Sequence, residues 1–231
     1  MKKVQMGSLA VGVLVTVATA TSVAAQSPPS PTLNTLEVER LASSNTPEAH
    51  ARLGAHFAAL AEQYASQARR HTSMSKRFLG NPSRNLGAGT SAHCRRLAEL
   101  NTRSAETLGK LAAHHNALAA GAPSVSPPDS ARFEMGAGAP APTEEQLDAL
   151  AATAGTPAEH GRLARYFLDA RQPLFQRRDS HARMARAYRA LPRGASAAAP
   201  HCDRLVSRLR EAAKEASGAA ALHRALADTV R

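Results

Sequence analysis

The nine residues Asn45-Thr46-Pro47-Glu48-Ala49-His50-Ala51-Arg52-Leu53 return 110 positions later as Gly155-Thr156-Pro157-Ala158-Glu159-His160-Gly161-Arg162-Leu163. A duplication constrains the architecture more than composition does, because both copies must build the same unit and bury its apolar face against a neighbour. Thr46 and Thr156 are natural N-caps, with Pro47 and Pro157 at the first helical position, where a missing N–H costs nothing. Glu159 completes a capping box in the second copy. A helix is therefore predicted to start at each. Behind Thr46, a heptad row reads His50, Phe57, Tyr64, His71 and Phe78, flanked by Leu53, Leu60, Gln67 and Met74. Behind Thr156, the rows are His160, Phe167, Leu174, His181 and Tyr188, then Leu163, Ala170, Arg177 and Met184. Such a seam faces another helix. Gln67 and Arg177 interrupt it, and Pro173 is expected to kink the second long helix.

Each long helix runs into a Gly/Pro-containing loop, residues 80–91 and 192–199, and a further helix opens around His93-Cys94 or His201-Cys202. With Ala92 or Pro200 at the first helical position, each cysteine would fall at the third. Apolar rows continue through Leu97, Leu108, Leu111, His115 and Leu118, and through Leu205, Leu209, Ala216, His223 and Leu226. Short connections make sequential helices antiparallel neighbours. The expected fold is all-α: two tandem helical hairpins, each with a short lead-in helix, forming an elongated four-helix-type bundle. The hairpins can lie side by side or crossed.

Composition shifts mark the boundaries. Residues 1–25 have Lys2-Lys3, an apolar run and Val23-Ala24-Ala25, the pattern of a secretory signal peptide. A Pro/Ser spacer follows at 26–34, repeat 1 at 35–119, a Pro/Gly/Ala-rich linker at 120–142 and repeat 2 at 143–231. The chain is thus expected to be exported, periplasmic or secreted, with no later transmembrane segment. Removing Lys2 and Lys3 lowers the formal net charge from +11 to +9, so the mature chain stays basic. Basic charge in that compartment points to an anionic envelope surface or protein partner. Nucleic acid is not expected, because the chain has no tryptophan and few aromatics to stack on bases.

Aligning the copies pairs His50 with His160, His71 with His181, Met74 with Met184, His93 with His201, Cys94 with Cys202 and His115 with His223. Eight of ten histidines are thereby duplicated; His56 and His114 are not, and are expected at the surface. Facing Met74 against Cys94 puts His50 within a turn of His115. The histidines then sort into a distal layer, His50 and His115, joined by His160 and His223 if the hairpins pack in register. A second layer near the loops holds His71, Met74 and Cys94, matched by His181, Met184 and Cys202, with His93 and His201 as second-tier members. Imidazole, thioether and thiolate suit copper, and imidazole suits zinc, so a metal site, copper before zinc, stands against core histidines satisfied by hydrogen bonds. Cys94 and Cys202 are candidates for one disulfide, or for free thiols activated at a helix N-terminus.

The tandem pattern of Thr-Pro-x-x-His, His-x-x-Met, His-Cys and a late helical His resembles a group of exported bacterial helical-repeat proteins of uncharacterised activity. It covers Thr46 to Ala119 and Thr156 to Ala227. The resemblance implies export and helical repeats only. The chain has no strand pattern, Gly-rich phosphate loop, Gly-x-Ser-x-Gly elbow or Cys-x-x-Cys-His haem motif. A binding or structural module therefore fits it more readily than an enzyme.

Overall fold

Capping at predicted positions sets the helix boundaries. Thr46 Oγ1 accepts the Ala49 N–H, and Thr156 Oγ1 accepts the Glu159 N–H while Glu159 Oε2 accepts the Thr156 N–H. Asn34 with Glu37, and Thr143 with Gln146, add two capping boxes that start the lead-in helices. A computed structural model describes residues 32–80, 89–120, 142–191 and 194–229. The expected signal peptide, most of the spacer and nearly all of the linker lie outside the described residues. The helices are α1 (Thr35–Ser43), α2 (Pro47–Leu79), α3 (Gly89–Leu118), α4 (Glu144–Thr153), α5 (Pro157–Arg189) and α6 (Ala199–Thr229). A 3-10 turn, Ala195–Ala198, leads into α6. Among the described residues, no helix is long and apolar enough to cross a membrane.

The architecture is all-α, with α2 and α3 forming one hairpin, α5 and α6 the other, and α3 packed on α6 in a bundle. A Cβ on Gly54 would lie 2.0 Å from Asn116 Oδ1, so the bare glycine lets α2 and α3 approach one turn from His50. Partners across the seam run in opposite senses. Phe57 stacks by His181 and His71 by Phe167, while His93 meets Glu215 and Arg96 meets Glu211. The hairpins are therefore antiparallel to each other, related by a pseudo-two-fold axis near Tyr64 and Leu174.

The lead-in helices obey the same axis by changing places. α1 packs on α5, where Arg183 Nε meets Glu39 Oε1 at 2.5 Å; α4 packs on α2, where Ser73 Oγ donates to Asp148 Oδ2 at 2.5 Å. Ser73 and Arg183 are equivalent positions, so one contact is built twice with different chemistry.

α5 continues as one helix through Pro173. Between Phe167 and Ser180 none of its side chains is fully buried, and there Arg177 lies 5.2 Å above the Tyr64 ring and donates to Gln63. That explains the polar interruption of the seam: a guanidinium tolerates this half-open crossing because it stacks on an aromatic face.

Candidate functional site

The heptad rows point inward, as their spacing predicts. His50, His71, His115, His160, His181 and His223 are all buried, as are Met74, Met184, Cys94 and Cys202. His50 Nδ1 lies 3.0 Å from His115 Nδ1, and His160 Nδ1 lies 3.3 Å from His223 Nδ1, so the distal pairing within each hairpin is present. The four do not join into one layer. His115 meets Tyr188, whereas His223 meets Phe78. His50 and Phe78 are 28 residues apart on α2, which separates the two pairs by about 42 Å along the bundle. Antiparallel packing of the hairpins is the reason: it sets each distal pair against the loop-proximal end of the other copy.

Partners fix the tautomers at the first pair. His50 Nε2–H donates to Asn45 Oδ1 at 3.2 Å, leaving its Nδ1 to accept from His115 Nδ1–H. His115 Nε2 then accepts the Tyr188 hydroxyl at 2.9 Å. The chain Tyr188, His115, His50, Asn45 is complete with both rings neutral. At the equivalent end, Phe78 stands where the other copy has Tyr188, and Gly155 where it has Asn45. His223 Nε2 consequently has no hydrogen-bond partner among the described residues. Tyr188→Phe should make the first end resemble the second and cost about 1–3 kcal/mol, the usual penalty for orphaning a buried acceptor. Phe78→Tyr should recover about 1 kcal/mol by reaching His223 Nε2. Denaturant midpoints measure both changes; equal stability of Tyr188→Phe and the native protein would contradict the hydrogen-bond chain.

The middle of the bundle holds His71 by Tyr166 and Phe167, and His181 by Phe57. Burial, then His56 and Arg177, lowers His181 to about 3; burial, then Arg70, lowers His71 to about 4. Burial is also the main cause at His115 and His223, both pulled to about 3, with the paired ring next. His50 is lowered by burial and by His114. His56, expected at the surface, is buried: its Nδ1 accepts the Leu33 N–H at 3.0 Å, and burial takes it to about 4. The segment just before α1 reaches it through Leu33, which alignment of the copies alone could not reveal. His114 is half-buried.

The thiols correct two expectations. Cys94 and Cys202 are free and occupy different apolar clusters, Cys94 with Met74 and Phe78, Cys202 with Met184 and Tyr188. The pairing of His93 with Glu215 sets Cys94 level with about residue 214, some 12 residues or about 18 Å from Cys202. A disulfide needs alpha carbons within about 7 Å. Activation at a helix N-terminus fails too, because α3 starts at Gly89 and burial pushes both thiols up to about 12. Of the second-tier residues, His93 Nδ1 sits 2.6 Å from Glu215, and His201 Nδ1 accepts from Arg204 at 3.0 Å. Among the described residues, no three His, Cys, Asp or Glu side chains converge as a metal-holding group. Asn45 and Tyr188 complete the site but escaped selection by residue type. The 110-residue offset was their signal, since it sets Tyr188 against Phe78 and Asn45 against Gly155.

Comparison with protein-family models, curated proteins and solved structures finds no match for this chain. Its functional reading rests on its own residues.

Proposed function

We propose that this chain is an exported, basic helical-bundle module of the bacterial cell envelope that binds an anionic surface, its duplicated histidines serving the fold. One observation carries this reading: the retained imidazole rows are buried, while among the described residues no Lys or Arg is buried, in a chain that carries 29 Lys and Arg against 18 Asp and Glu. Neutral, buried rings stacked on Phe57 and Phe167 act as packing groups that also satisfy one another. Co-sedimentation with phosphatidylglycerol vesicles, compared with phosphatidylcholine vesicles, tests it. Binding should be confined to the anionic vesicles and fall steeply with salt, because exposed charges are screened beyond about 8 Å at physiological ionic strength. Equal binding to both lipids, or salt-independent binding, would remove the proposal.

A second reading, transition-metal binding with copper before zinc, is favoured by the Nδ1 separations of 3.0 and 3.3 Å. Two imidazole ligands of a tetrahedral metal, each at about 2.0–2.1 Å, stand about 3.3 Å apart. Metal analysis of untagged protein, followed by titration with reduced copper, tests it. Failure to retain stoichiometric metal removes it.

A further inference from the structure

The face formed by α3 and α6 is chemically lopsided. Arg103, Arg204 and Arg208 line an open groove of about 360 Å³ between the two helices. The carboxylates beside them are already engaged: Asp203 by Arg189 at 2.5 Å, Glu211 by Arg96 at 2.8 Å. Arg103, Arg204 and Arg208 have no carboxylate partner within ion-pair distance among the described residues. The Arg208 guanidinium is held against the Arg103 carbonyl and Thr107 Oγ1. Lys110 continues the cationic edge toward His201, whose pKa is lowered by burial and then by Arg204, His114 and Lys110; His114 beside it is held neutral by burial.

The pseudo-two-fold axis supplies an internal control. The axis passes through the groove, whose lining also includes Leu100 and Glu211: Glu211 stands at the position equivalent to Arg103, Leu100 at that of Arg208 and, beyond it, Gly218 at that of Lys110. There, Arg96 is neutralised by Glu99 and Glu211, and His93 Nδ1 meets Glu215 Oε2. Two halves of common origin share a fold yet differ in charge, so packing does not require the cations.

We infer that this cationic half of the α3–α6 face docks on the phosphate headgroups of an anionic lipid bilayer, an assignment that rests on the envelope reading above. Guanidinium groups grip phosphate oxygens two at a time, which suits three arginines crowded on one groove. The groove is open, a shape for a surface and not for an enclosed small ligand. No aromatic side chain lines it, so it offers neither a stacking platform for bases nor a wedge for insertion. Binding is peripheral and electrostatic.

The test compares two full-length variants that each lose three positive charges. One carries Arg103→Gln, Lys110→Gln and Arg204→Gln; the other carries Lys76→Gln, Arg162→Gln and Arg165→Gln on α2 and α5. Arg208 is left in place because it bridges the helices. Thermal unfolding checks that both fold like the native chain. Partition onto phosphatidylglycerol vesicles should fall on the order of 100-fold for the first, at about tenfold per 1.4 kcal/mol and about 1 kcal/mol per cation. The second should change less than about threefold on the same scale. Equal losses would overturn the groove while leaving the anionic-surface reading intact, and no binding by the native chain would overturn both. Displacement by inorganic phosphate at constant ionic strength would overturn the bilayer in favour of a discrete phosphate ligand. Equally groove-dependent binding to single-stranded DNA would overturn lipid as the partner.

Discussion

Acidification from about pH 7 to about pH 4 should unfold this protein cooperatively, with a midpoint at about pH 5. His115, His181 and His223 are held at about 3, and His56 and His71 at about 4, against 6.5 in the unfolded chain. Their folded values are depressed, so between those limits the unfolded chain binds more protons and stability falls with pH. The contribution is fully present above about 6.5 and is lost as pH drops toward the folded values. Each such ring loses roughly 2 kcal/mol by pH 5, and five together roughly 10 kcal/mol, comparable with the whole stability of an ordinary domain. Helical circular dichroism and denaturant midpoints across this range measure it. Stability unchanged down to about pH 4 would contradict the neutral, buried imidazoles.

Phe57→Ala and Phe167→Ala should each cost about 3–5 kcal/mol. Both rings are fully buried and occupy equivalent places between a distal and a middle histidine. Phe57 stacks on His115 and His181, Phe167 on His223 and His71. Phe167 lies level with His71, about 14 residues or about 21 Å along α2 from Phe57, too far for the two cavities to share neighbours. The costs should therefore add to within about 0.5 kcal/mol, and the double variant should not fold. Thermal and denaturant unfolding of the single variants gives the values. A cost below about 1 kcal/mol at either site would contradict the equivalence of the copies.

The hairpins were legible because local signals specify them. Thr46-Pro47 and Thr156-Pro157 fix two starts and heptad spacing fixes the buried face; the Gly/Pro-containing loops lie partly outside the described residues. Distal pairing of His50 with His115 followed from helical rise alone. Relative placement of the hairpins was not legible, since no local rule says which end of one copy meets which end of the other. That choice decides that Tyr188, and not His223, reaches His115, and that Cys94 and Cys202 stand far apart. Residue type drew attention to histidine, methionine and cysteine; it could not reveal that a tyrosine in one copy and a phenylalanine in the other divide the bundle into a hydrogen-bonded end and an open one.

Antiparallel packing of the two copies is the claim on which the rest depends, and a spin-label distance between Glu48→Cys and Ala158→Cys tests it most directly. Both positions are exposed in the first turns of α2 and α5, and the buried native thiols resist labelling. Antiparallel copies set the labels about 32 residues apart along the bundle, or about 48 Å. A distribution centred near that length is the expected result. One centred below about 20 Å, roughly two helix diameters, would mean that the copies lie in register and bring all four distal histidines together.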